Sequence, residues 1–424
     1  MKTKAVRIYG KNDLRLEEFD LPAIKDNEIL AQVICDSICM SSNKAAKQGT
    51  DHKRIPDDID KNPTMIGHEF SGVIIEVGEK WKHAFKPGMK FSIQPAINYP
   101  DGPVGILSAP GYSYRYIGGD ATHIIIPNEV MEQNCLLPYT GQGFYPAALA
   151  EPLSCVIGAM HACYHTKPGS YIHQMEIVDG GKMAILAGVG PMGLAAINYV
   201  INREDRKPKL LVVTDIDQGR LNHAAELYSP ELASAQGIEL KYINTGKMEN
   251  PVESLLEVTN GTGFNDVFVF APVAAVVEQG DALLAFDGCL NFFAGPGNPN
   301  FKANFNFYNV HYNFTHIVGT SGGNNDDMEE AITMMSKGLD PAGLVTHIGG
   351  LDAVIATTLN LPDIPGGKKL IYTNIKMPLT SLTEFKEKGE TDTLFKKLDE
   401  ITQKNNGLWS IEAEAYLMKN GTPV

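Results

Sequence analysis

Three side chains of metal-binding type stand out in the chain: a thiol in ICMSSNKAA, Cys39; an imidazole in GHE, His68; and a carboxylate in EPL, Glu151. Thiolate, imidazole and carboxylate are all zinc donors, and three protein donors with an open fourth position describe a catalytic site. One thiolate and one carboxylate would formally neutralise a divalent cation yet leave it able to polarise a substrate oxygen. Each residue also has a plainer reading: Cys39 as a small buried hydrophobe, His68 as a core histidine, Glu151 as a residue favoured near a helix N-terminus. The wide separation of the three along the chain leaves both readings open at this point.

A second chemistry is written contiguously. The strand-like MAILA runs into Gly188-Val189-Gly190-Pro191-Met192-Gly193, and a helical run follows at once. In such a GxGxxG loop the first glycine makes a tight turn and the second lets a pyrophosphate approach the backbone. The third lets helix and strand pack closely, with the helix N-terminus facing the phosphates. The apolar run LLVVTD then ends in Asp215, 22 residues beyond Gly193. A carboxylate there suits the adenosine ribose hydroxyls of a dinucleotide. It favours NAD(H) over NADP(H), because it repels a 2′-phosphate, while the nearby Arg220 keeps NADP(H) open. A structural glycine turn, with Asp215 merely ending a strand, explains less of this combined pattern.

These residues need elements to hold them. KAVRIY, DLRLEEFDLP and EILAQVIC alternate polar and apolar residues as half-buried strands do, and IGHEFSGVIIEVGE and KPGMKFSI continue the pattern between turn residues. Residues 94 to 120, rich in Pro, Gly and Tyr without period, read as a long surface excursion. PAALAEPLSCVIGAMHAC has helical length. Beyond it LLVVTD, DVFVFA and CLNFFAG are short apolar runs alternating with helical segments such as QGRLNHAAELY and VAAVVEQGDALLAF. That alternation predicts a parallel sheet covered on both faces. A charged helical tail runs from about Glu384 to Asn420, as a peripheral helix or part of a subunit contact.

With 424 residues, two domains are the expectation. A formal net charge of -14 argues against nucleic acid or an anionic membrane as the main partner. The charged N-terminus has no apolar signal-peptide core, and no run approaches the roughly 18 apolar residues of a membrane span. Six cysteines without a CxxC pair fit a reducing cytoplasm.

Cys39 and GHE in a barrel-like N-terminal part, then EPL, then the nucleotide fingerprint, resemble the zinc-dependent medium-chain dehydrogenases over nearly the whole chain. The resemblance implies an α/β protein with a GroES-like β-barrel catalytic domain, residues 1–155 and 341–424, and a Rossmann doubly wound parallel-sheet domain, residues 156–340. It implies one catalytic Zn²⁺ held by Cys39, His68 and, as in the polyol and glucose dehydrogenase branch, Glu151. Glu69 then stands beside the metal as alternate ligand or support. It implies a homodimer or homotetramer as well. Two departures from the family pattern stand out. No cysteines occur in 92–116, where four would hold a structural zinc, so none is expected. After Cys39 the chain reads Ser41-Ser42-Asn43-Lys44, so Ser41 keeps the relay hydroxyl while Ser42 replaces an acid and Lys44 a histidine.

Further wording, including CMSSNKAAKQG, NPTMIGHEFSG and LPDIPGGKKLIYT, is similar to a subgroup of that family that interconverts L-sorbose 1-phosphate and D-glucitol 6-phosphate. On that resemblance a ketose carbonyl is polarised at zinc, hydride arrives from the nicotinamide and Ser41 passes a proton to the forming alkoxide. Gly295 and Gly322 are candidates for the nicotinamide pocket, with plain turn glycines as the equal reading. A substrate phosphate needs cationic donors; Lys44, Lys47 and Lys368 are candidates and Lys44 is favoured. Two rivals remain: a dehydrogenase of unphosphorylated polyols, and a dinucleotide-binding sensor without chemistry. Intact Cys39, His68, Glu151 and Ser41 argue against the second.

Overall fold

In the computed structural model, which describes residues 1–167 and 169–424, the alternating runs of the first third become strands. Lys2–Gly10 pairs with Asp13–Asp20, and Ile29–Ile38 with Phe70–Val77 and His123–Ile126, all antiparallel. Ile29–Ile38 is also paired antiparallel with Lys368–Tyr372, from the far end of the chain, inside an eight-stranded sheet. Nearly every residue of Ile29–Ile38 is buried, since this strand lies between neighbours on both sides. The chain divides into two units, Met1–Glu151 with Met328–Val424, and Pro152–Asp327. Both divisions fall inside helices, Ala150–His161 and Asn325–Ser336.

Two expectations for the first unit are corrected. Only the middle of the stretch 94–120 is a surface excursion: no residue of 98–107 is buried, whereas Gln94, Ile97, Ser108, Ala109, Tyr112, Ser113 and Ile117 on either side are. Its backbone folds back on the sheet through bonds such as Met65 N–H to Tyr114 O and Asp120 N–H to Ile66 O. A segment with almost no regular structure, here only the short strand Pro103–Ile106, can satisfy its polar groups this way. The charged tail is not peripheral either. Thr393–Lys404 and Ile411–Asn420 bury Leu398, Ile401 and Leu417 with Trp409 in a cluster that includes Tyr145 and Tyr372. Its charges face outward, while Glu414 is buried and accepts from Phe144 N–H, Tyr145 N–H and Tyr372 Oη. That carboxylate fixes the start of the helix Tyr145–Ala148, which leads directly into the helix bearing Glu151.

In the second unit six strands form one all-parallel sheet. In chain order they are Lys182–Leu186, Leu210–Asp215, Glu239–Asn244, Phe264–Val269, Leu284–Phe292 and His316–Gly319; in space they run third, second, first, fourth, fifth, sixth. This is the doubly wound order. Leu210–Asp215 is buried throughout, as a strand covered on both faces must be. The run VAAVVEQGDALLAF is helical only to Ala282; Leu284 already begins the fifth strand. Among the described residues no helix is long and apolar enough to cross a membrane.

Candidate active site

Cys39 closes the extended run of Ile29–Ile38 and sits at the N-cap of the helix Met40–Gln48. That first turn carries Ser41 and Ser42 to the imidazole of His68. Ser41 Oγ lies 3.1 Å from His68 Nε2 and donates to Cys39 Sγ at 3.1 Å. Ser42 Oγ meets the other ring nitrogen, Nδ1, at 3.2 Å. Asn43 donates to Thr358 O at 2.7 Å and ties the same helix to Val354–Asn360. His68 follows Gly67, whose φ of +91° favours glycine; a Cβ there would fall 2.5 Å from Asp120 N and 2.7 Å from Asp36 Oδ2.

Among the described residues, Cys39, His68 and Glu69 form the one group of three metal-ligating side chains whose donor atoms lie within 4.8 Å of one another. The donor chemistry fits a cation. Burial, then the charges of Lys368 and Arg54 among others, outweigh Glu69 and hold the His68 ring neutral, with a pKa of about 4, the form that ligates a metal. Burial and Glu69 push the Cys39 thiol up to about 12, so a thiolate in this pocket needs a positive partner. Glu151, also buried, adds to that push and raises Tyr112 as well, which puts its carboxylate in electrostatic reach of both.

The surroundings of Glu69 correct one expectation. Lys368, read as a candidate for substrate phosphate, is buried and places Nζ 2.6 Å from both Glu69 carboxylate oxygens. Burial raises Glu69, but the Lys368 charge and hydrogen bond outweigh it and hold the carboxyl below its usual range. Below the pair, Asp36 Oδ1 accepts the Glu69 N–H at 3.1 Å. Burial, then the charges of Asp120 and Glu69, push the Asp36 carboxyl well above its usual range. Lys44 is half-buried on the helix Met40–Gln48 and Lys47 is exposed.

A residue outside the expected set joins this site. Tyr112 Oη lies 3.3 Å from His68 Nε2, the rings 4.8 Å apart. It comes from the aperiodic 94–120 stretch, and the only sequence signal was an aromatic among glycines and prolines.

In the second unit the glycine loop is built as its pattern required. A Cβ on Gly193 would fall 2.0 Å from Gly188 O, so helix and loop touch there. At Gly190 a Cβ would meet only Arg220 Nη2, at 3.4 Å, which leaves the backbone open to a ligand. Gly190 caps the helix Pro191–Asn202, whose first turn holds Pro191, Met192 and Gly193. Asp215 Oδ1 accepts from Ile216 N–H and Asp217 N–H, fixing the carboxylate at the end of the second strand. Gly295 and Gly322 lie exposed in loops beyond the fifth and sixth strands. In a parallel sheet these positions all line the C-terminal edge, where doubly wound folds bind ligands.

Residues 25–133 match the family model described as alcohol dehydrogenase GroES-like domain, and residues 207–337 the model described as zinc-binding dehydrogenase. The chain is 50% identical over 419 residues to a mannitol-1-phosphate 5-dehydrogenase of Aliivibrio fischeri, covering 99% of this chain and 98% of the relative. It is 48% identical over 423 residues to an L-sorbose 1-phosphate reductase of Klebsiella pneumoniae, covering 100% and 98%. The crystal structure of 2R,3R-butanediol dehydrogenase from Bacillus subtilis has the same fold, with a TM-score of 0.68 at 21% identity, covering 88% of this chain and 100% of that one.

Proposed function

The chain belongs to the zinc-binding dehydrogenase family, oxidoreductases acting on CH–OH groups, and on that premise we propose that it interconverts a ketose phosphate and a polyol phosphate, L-sorbose 1-phosphate and D-glucitol 6-phosphate, with NAD(H). The observation that carries the reading is the full-length similarity to relatives named for a sorbose phosphate and a mannitol phosphate. Cys39, His68 and Glu151 hold one Zn²⁺ in this reading. Glu69 is held back as support, because Lys368 occupies both of its oxygens.

When bound, Zn²⁺ supplies a Lewis acid that polarises a carbonyl, and the nicotinamide supplies hydride. Ser42 holds His68 by Nδ1, which leaves Nε2 to face the donors of the pocket. Ser41 Oγ, between Cys39 Sγ and His68 Nε2, holds the proton that passes to the substrate oxygen as it becomes an alcohol. Gly188, Gly190 and Gly193 admit the pyrophosphate, and Asp215 holds the adenosine ribose and favours NAD(H). Arg220, beside Gly190, reaches the same phosphates.

The test is NADH and NADPH oxidation against a panel of ketose phosphates and their free sugars, with and without a chelator. Chelator-sensitive, NADH-linked reduction of L-sorbose 1-phosphate is expected. Turnover of free polyols with none of any ketose phosphate would sink the reading.

A further inference from the structure

Near the Tyr112 ring lies a cation that the mechanism does not use. Arg54 sets its guanidinium carbon 5.9 Å from the centre of the Tyr112 ring, and Tyr112 in turn bonds His68 Nε2. Its hydrogen bonds go to backbone: Nη1 donates to Leu107 O at 2.9 Å and its own N–H to His52 Nδ1 at 3.3 Å. Among the described residues no carboxylate pairs with it, nor with Arg115 or Arg220, whereas Arg7, Arg15, Arg203 and Arg206 each have one; of the three, Arg54 is the one set against Tyr112 of this pocket. A half-buried guanidinium with donors to spare, beside Tyr112 and His68, has the chemistry to bind an anion.

The surroundings are built rather than incidental. His52 stacks flat on Tyr112, centres 5.7 Å apart and planes 7° apart. Because His52 Nδ1 accepts from Arg54 N–H, the proton of the neutral ring is on Nε2, a further donor. Burial and then the charges of Arg54, Lys53 and Lys44 lower the His52 pKa to about 4, so the charges bearing on this ring are all positive. That is notable in a chain of net charge -14. The segment is braced: Ser113 Oγ donates to Arg54 O at 2.7 Å, and Ile55 and Ile59 are buried beneath it.

Resting on the sugar-phosphate reading of the preceding section, we infer that Arg54 is the specificity-determining residue that grips the substrate's phosphate monoester. Tyr112 is the spacer that sets the distance from that grip to Cys39 and His68. Lys44 and the His52 N–H assist from either side. The chemistry required is a dianionic, tetrahedral group at one end of a polyhydroxy ketone; the carboxylate of a sugar acid pairs with an arginine fork too, but brings one charge and two oxygens where the phosphate monoester brings nearly two charges and three.

The experiment compares wild type, Arg54→Ala and Arg54→Lys in NADH-linked reduction of a ketose phosphate and of the same ketose without phosphate. Arg54→Ala is expected to lower the ratio of the two kcat/KM values by about 10- to 100-fold, mainly through KM for the phosphate ester. Arg54→Lys, which keeps the charge but not the fork, recovers part of that and carries the test if the alanine variant fails to fold. Arg115→Ala, an exposed arginine on Tyr116, leaves the ratio unchanged. A wild type that prefers the phosphate ester together with variants that keep the same preference overturns the grip alone. A wild type inactive on every ketose phosphate overturns the underlying reading and the grip with it.

Discussion

The glycine loop and the Cys39 pocket are made of different material. From Gly188 to Gly193 the working surface is backbone, shaped by what is absent: no Cβ fits at Gly193, and none obstructs a ligand at Gly190. Around Cys39 the working surface is side chains, each steadied by another: Ser41 and Ser42 on His68, Lys368 on Glu69, Asp36 beneath it. The first kind of site fails by steric intrusion. The second fails by leaving a buried polar group without its partner, which is costlier.

Breaking either site alone tests that division. The largest effect is expected from Cys39→Ala, which should abolish bound zinc by elemental analysis and reduce turnover by more than about 1,000-fold, a scale set by loss of Lewis-acid catalysis. NADH affinity by fluorescence titration should survive. Loss of NADH binding as well would mean the two sites are not independently built. Next comes Lys368→Met, which strands the buried Glu69 carboxylate. Urea unfolding should report about 3–5 kcal/mol of destabilisation, partly recovered in the double variant with Glu69→Gln. No recovery would show that the lysine acts through something other than this pair.

Gly193→Ala is the reciprocal lesion. It should cost about 1–3 kcal/mol by overpacking and abolish NADH binding while zinc stays at one per chain. A variant that binds NADH normally would contradict the packing argument. The smallest effect sharpens the comparison within the second unit, which has a side-chain network of its own. His165 bonds Asp266 and the Asp287 carbonyl, and His316 bonds the Asp287 carboxylate. Burial opposes a charge on His165, but Asp266 outweighs it and raises the pKa to about 9. A raised pKa contributes stability below the unfolded value near 6.5 that is lost as pH rises through about 9. The Tm difference between wild type and His165→Gln should therefore shrink from pH 6 to pH 10, with NADH affinity unchanged throughout. A constant difference would remove the ion pair as its cause.

The same contrast explains what could be read from the chain. A backbone site is contiguous, so strand, glycine turn, helix and Asp215 were visible as one pattern, and the parallel sheet with them. Cys39, His68 and Ser41 were legible as types, and their placement in one family pattern made them a set. Lys368 was not, because nothing local marks a lysine that will be buried against a glutamate 299 residues away. Tyr112 and Arg54 were not either: both lie in irregular segments, held by scattered hydrogen bonds such as Thr64 Oγ1 to Tyr112 O and Ser113 Oγ to Arg54 O rather than by a period. The tail from Glu384 misled through its surface charge, because its burial depends on Trp409 and a few apolar positions among many polar ones.

The strand Lys368–Tyr372, lodged beside Ile29–Ile38, sets an order of events in synthesis. The second unit is one continuous stretch, Pro152–Asp327, and its sheet can close while the chain is still growing. Ile29–Ile38, which leads into Cys39, must wait for a neighbour more than three hundred residues downstream. The helix leading to Glu151 waits longer, for Glu414. The half that carries Cys39 and His68 is begun first and finished last, and until then its thiols are exposed to whatever metal or oxidant the nascent chain meets.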